Sequence, residues 1–173
     1  MPADLLIDDP SPPPTARPAV QVAVVMEREA APNRWEDWRF KLIDVVAQQD
    51  AFGTESRVLR DDGKTQRALH PGFTLELFRD EAEGYHLNLT SGAPVWFVVW
   101  RIDDEDPSRA WPETVSVSYT EAGRWLDAQE RVDNVPLPAD LVAWLQAYTD
   151  EHYRPEPKKR RRPQSFLPAE QRR

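Results

Sequence analysis

The sequence predicts an α+β fold: a mostly antiparallel β barrel or sandwich of six to eight strands with a C-terminal amphipathic helix. Three observations carry that expectation. Val95-Trp96-Phe97-Val98-Val99-Trp100-Arg101 is a β-branched and aromatic run, the signature of a central strand buried on both faces. Trp38, Phe40 and Leu42, and again Phe73, Leu75 and Leu77, alternate with polar residues, as half-buried strands do. Leu141, Trp144, Leu145, Tyr148 and His152 recur at i, i+3, i+4, i+7 and i+11, which is one face of a helix.

Taken in order, residues 1–19 are Pro-rich with little to pack and are expected to be a disordered tail. Residues 20–154 are expected to form a single globular β-rich domain. Val20 to Met26 reads as its first strand, left through the polar Glu27-Arg28-Glu29 into a turn at Ala30-Ala31-Pro32-Asn33. A second strand should run from Arg34 to about Val46. Arg57–Arg60 and Thr65–Leu69 flank Asp61-Asp62-Gly63-Lys64, a hairpin signal because the Asp-Gly step tolerates positive φ. Pro71-Gly72 is expected to turn again before Phe73–Arg79.

Asp80 to Glu83 opens a short helix, its acids suited to the positive end of the helix dipole. Ser91-Gly92 stops that helix, and Pro94 sets an extended entry into the central strand. Asp103 to Pro107 and Trp111-Pro112 read as a solvated acidic loop, Val115–Tyr119 as a strand, and Thr120–Gly123 as a turn. The next segment fits helix or loop equally. Val132–Pro138 is extended, and Pro138 suits the start of the last helix. From residue 155 to 173 Pro, Lys and Arg dominate, and a disordered basic tail is expected.

Charge divides the chain. Residues 151–173 hold eight Lys/Arg against three Glu, a net of +5, so the overall −8 leaves −13 on residues 1–150. Such an acidic body repels phosphates, and nucleic-acid contact is expected only through the tail run Lys158 to Arg162. The absence of Cys removes disulfides and thiolate metal sites and points to a reducing compartment. Met1-Pro2-Ala3-Asp4 begins no basic-then-apolar leader, and no apolar run is long enough to span a bilayer, so a cytoplasmic location without membrane contact is expected.

No catalytic motif stands out. His70, His86 and His152 fall on different elements, and no cofactor or metal is expected. Six isolated glycines make no phosphate loop. Leu89 stands where a nucleophile elbow around Ser91 would need glycine. One constellation invites a binding role: Glu27, Arg28, Asn33, Arg34 and Trp35 gather charged, amide and aromatic groups on one turn. Arg forks and Asn amides suit oxyanions or peptide backbone, and Trp is a rigid anchor. The same residues also fit a plain turn, with Asn33 capping, Arg34 paired to Glu27 or Glu36, and Trp35 packed. Tyr85 and Asn88 complete the candidate surface.

Val24-Val25-Met26-Glu27-Arg28, Pro32-Asn33-Arg34-Trp35, Tyr85-x-x-Asn88-Leu89-x-Ser91-Gly92-x-Pro94 and Val135-Pro136-Leu137-Pro138 occur in that order. Together they resemble an uncharacterised bacterial family whose genes lie in formate dehydrogenase clusters, over about residues 20–155. The resemblance implies an accessory protein, non-enzymatic, in the assembly, maturation or regulation of a formate dehydrogenase, with dehydrogenase subunits or maturation factors as partners. Some members of that family carry the label of a molybdopterin-guanine dinucleotide biosynthesis protein. The alternative implied is therefore a small ligand-binding or enzymatic domain of molybdopterin cofactor metabolism. The guanylyltransferase activity itself needs a Gly-rich loop after the first strand. Glu27-Arg28-Glu29-Ala30-Ala31-Pro32 stands there instead.

Overall fold

A computed structural model describes residues 17–30 and 37–155. Among them seven strands form two antiparallel sheets. β1 (Ala19–Ala30), β2 (Trp38–Ala47), β3 (Arg57–Asp61) and β4 (Thr65–Glu76) make a four-stranded sheet in the order β2-β1-β4-β3. β5 (Val95–Ile102), β6 (Ala110–Ser116) and β7 (Arg131–Pro136) make a three-stranded sheet in the order β6-β5-β7. Three helices accompany them: α1 (Ala82–Leu89), α2 (Tyr119–Asp127) and α3 (Ala139–His152).

The fold is a sandwich and not a barrel. A barrel needs one hydrogen-bonded ladder to continue around the whole circuit. Here the ladders end at β2 and β3 in one sheet and at β6 and β7 in the other. β2 only lies against β7, and β4 against β6. Side-chain alternation then assigns the faces. Val22, Val24 and Met26 of β1 join Trp96, Val98 and Trp100 of β5 in the main core, with Tyr85 of α1 and Leu145 and Tyr148 of α3 packed into it. Ala23 and Val25 point the other way, onto Leu69, and are covered by Ile43, Val46 and Phe52. β5 is buried from Trp96 to Trp100 and is the middle strand of its sheet, as the apolar run predicts. α3 starts after Pro138 and buries Leu145, Tyr148 and Thr149, close to the expected face.

Several local expectations need correction. β1 does not end at Met26: Glu27, Arg28 and Glu29 remain in the strand because β2 pairs with it as far as Ala30 on one side and β4 as far as Glu29 on the other. Pro71-Gly72 is no turn. It is a bulge inside β4, where the register passes from Val22↔Phe73 to Val24↔His70 and Gly72 takes φ 91°. Trp111 and Pro112 belong to β6, an edge strand, where a proline can leave its missing N–H on the unpaired side. β6 stops at Ser116, and Thr120–Gly123 lie within α2. Ser118-Tyr119-Thr120-Glu121 has the S-x-x-E spacing of a capped helix start. Ser118 Oγ duly accepts from the Glu121 N–H at 3.1 Å. The expected start of β2 at Arg34, the tails up to residue 16 and from residue 156, and the residues Asn33, Arg34 and Trp35 lie outside the described residues. Pro18 and Ala19, expected in the N-terminal tail, instead join the sheet, Ala19 opening β1 and the Pro18 carbonyl accepting from the Leu77 N–H at 2.9 Å.

Candidate functional site

The two sheets differ in strand length, and a cleft follows from that difference. β1 and β4 have twelve residues each, against eight in β5 and seven in β6. At a rise near 3.3 Å per residue the first pair spans ~40 Å and the second ~25 Å. The inner face of the longer sheet therefore overhangs its partner. On that overhang Met26 and Arg28 of β1 stand opposite Ala68 and Gln66 of β4, and Arg28 stands opposite Phe40 of β2. Ser108 and Arg109, just before β6, and Ala110 and Trp111, its first residues, form the facing wall. The enclosed space is about 300 Å³.

Arg28 spans the two sides. Its Nη1 donates to the Ser108 carbonyl at 2.9 Å, and its guanidinium carbon lies 4.3 Å from the centre of the Trp38 ring. Its Nε is buried with no acceptor among the described residues. Nor does any described carboxylate lie within ion-pair distance of it. The acids nearby are committed to their own turns. Asp61 accepts from the Gly63 N–H at 2.9 Å and from Gln66 Nε2 at 3.2 Å, and these hydrogen bonds lower its pKa. Asp106 accepts from the Ser108 hydroxyl at 2.6 Å and its N–H at 3.1 Å, with the same consequence. Glu27, also at the cleft, is matched by Arg67 across the strand pair at 3.3 Å.

His70 also lines the cleft. Its Nδ1 is 2.9 Å from Ser56 Oγ, and burial lowers its pKa, so the ring stays neutral at neutral pH. Trp111, 39 % exposed, adds an aromatic side chain to the lining. The cleft thus combines two cations, Arg28 and Arg109, with apolar walls and hydroxyl and amide groups. Among the described residues no group of His, Asp and Glu side chains is arranged to hold a metal ion. No described helix is long and apolar enough to cross a membrane.

Of the seven residues singled out in the sequence, Glu27 and Arg28 come together at this cleft, on a strand and not on a turn. Tyr85 and Asn88 do not join them. Tyr85 is buried in the core; its hydroxyl accepts from the Phe78 N–H at 3.0 Å, its ring meets Tyr148 edge-on at 6.0 Å, and burial raises its pKa. Asn88, 1 % exposed, donates to the carbonyls of Val95 and Val117 at 2.9 Å each and accepts from the Val95 N–H at 3.0 Å. It fastens the end of α1 to the start of β5 and the exit of β6. His86 stacks on Tyr153 at 4.2 Å, away from the cleft lining. Sequence reasoning missed His70, Ser56, Arg109 and Trp111. The signal for His70 is pairing: it alternates with Ala68 and Gln66 on the strand that the Asp-Gly hairpin sends back along β1.

No curated protein and no solved structure matches the chain. A family match runs from residue 21 to residue 162, which takes in all four of the motifs above and both sheets apart from the first two residues of β1. It is to the family described as protein of unknown function (DUF3305), and the chain belongs to that family.

Proposed function

We propose that the protein is a non-enzymatic accessory factor of a formate dehydrogenase, acting in its assembly, maturation or regulation, and that it grips its partner through the Arg28 cleft. One observation supports the binding half. A guanidinium without a carboxylate partner among the described residues stands at an inter-sheet cleft beside an exposed Trp. Arg and Trp of this kind dominate binding hot spots. The dehydrogenase half comes from the genomic company implied by the motif resemblance. The proposed setting is the cytoplasm, in keeping with a chain that has no Cys.

The test is affinity purification of the tagged full-length protein from cells expressing the gene cluster. Dehydrogenase subunits or maturation factors should be retained, and recovery of neither would overturn the proposal. Pairing Arg109→Gln with Trp111→Ala should reduce that recovery. Undiminished recovery would place the interface elsewhere on the molecule.

A second reading, a small ligand-binding domain of molybdopterin cofactor metabolism, draws on the size of the cleft. Its roughly 300 Å³ falls at the lower end of small-molecule sites. That reading expects a purified protein that binds a pterin-like molecule without any partner protein.

A further inference from the structure

We propose that the cleft binds a small oxyanion, a carboxylate or phosphate, carried on a flat apolar body. This deepens the reading of the cleft as the binding surface and rests on it. Three features argue for the ligand class. The first is local charge. Of the charged side chains that line the space, Arg28 and Arg109 stand against Glu27 alone, which Arg67 matches; Asp61 and Asp106 stay ionised outside that lining, held by their own turns. The lining thus carries a net positive charge, and guanidinium donors match carboxylate and phosphate oxygens in number and geometry.

The second is long-range charge. Residues 1–150 carry a net −13, whose repulsion grows with the charge of the ligand and so weighs far more on a polyanion than on a singly or doubly charged molecule. A nucleic-acid strand is disfavoured on this ground. The third is shape. Met26, Phe40 and Trp111 give the recess apolar and aromatic sides, and about 300 Å³ accommodates a ring with one anionic substituent. Ser56 and His70 add a hydroxyl and a neutral imidazole that can hydrogen-bond the remainder of such a ligand.

The experiment titrates the full-length protein with benzoate, phenyl phosphate and benzyl alcohol, read by calorimetry and by Trp fluorescence. The first two probes separate carboxylate from phosphate, and the third keeps the ring and removes the charge. Saturable binding of at least one anion, with the alcohol much weaker, is expected. Arg109→Gln should weaken it roughly tenfold or more, as expected for loss of a hydrogen bond to a charged group. Trp111→Ala should weaken both anions and remove part of the fluorescence response. Because both side chains are exposed to solvent, these variants should fold, and Arg79→Gln, outside the cleft, serves as the control.

The proposal is overturned if neither anion saturates by ~10 mM, about tenfold weaker than a millimolar Kd. Equal binding of the alcohol, or anion binding unchanged in both cleft variants, overturns it as well. If the anions fail but dehydrogenase subunits are still retained on the column, the ligand class falls and the accessory role stands. The converse pattern removes the accessory role and keeps the ligand class.

Discussion

The corner around Asn88 and the cleft around Arg28 are both polar insertions into an apolar sandwich, and they differ in how fully their polar groups are used. Asn88 makes three short hydrogen bonds to backbone groups and is almost wholly removed from water. Arg28 makes one hydrogen bond to a backbone carbonyl, rests on Trp38, and keeps donors unspent. A buried amide whose two N–H donors and oxygen are all engaged by the fold, out of reach of water, has little left to offer a ligand. A half-buried guanidinium with free donors does. Saturation therefore separates scaffold from recognition surface better than residue type does.

Asn88→Ala gives the sharpest test of that division. It strands one N–H and two carbonyls and should destabilise the fold by about 3 kcal/mol or more, seen as a lowered urea midpoint with little change in slope. A loss below about 1 kcal/mol would break the comparison. Gly84→Ala comes next. Its new Cβ would sit 2.1 Å from Ser118 Oγ, which also donates to Glu81 at 2.5 Å and caps α2. The expected cost is about 2 kcal/mol from overpacking and a disturbed cap.

Arg28→Gln should cost only about 1 kcal/mol in stability while weakening anion binding, the reverse of the Asn88 pattern. Similar stability losses for the two variants would remove the distinction. The smallest effect concerns pH. Burial holds the His70 pKa below its ordinary 6.5, so the unfolded chain takes up the proton first. Stability should then fall as pH drops below about 6.5 and level off below the folded value. His70→Gln should remove that portion of the pH dependence, and an unchanged profile would mean that the imidazole is not desolvated.

The periodic parts of the fold were legible in the sequence. β5 shows in its unbroken β-branched and aromatic run, the hairpin in its Asp-Gly step, where Gly63 takes φ 84°, and α3 in its helical period. What was hidden depended on pairing across the chain. Pro71-Gly72 has turn composition, yet β1 holds both flanks and leaves only a bulge. Glu27 and Arg28 look like a strand exit, yet strands on either side keep them extended. The cleft was half visible, because Arg28 belongs to a motif. Arg109 and Trp111 reach it from a segment 80 residues on, and only the stacking of the two sheets brings them there. The same stacking withdrew Tyr85 and Asn88 from the candidate set: both sit where α1 meets the core.

β1 is covered unevenly along its length. From Val22 to Met26 it is covered on both faces, while Glu27 to Ala30 lie beyond that cover, only half-buried. The change comes where its register with β2 slips by one residue, between Val25 and Met26. A load applied at Arg28 is therefore shared at the strand's two edges with Phe40 of β2 and Gln66 of β4, outside the doubly covered half. Displacement at the recess is passed sideways, through the Arg28–Ser108 strut, to the loop that opens β6. A bound molecule would make itself felt first in that loop, and the core would register it last.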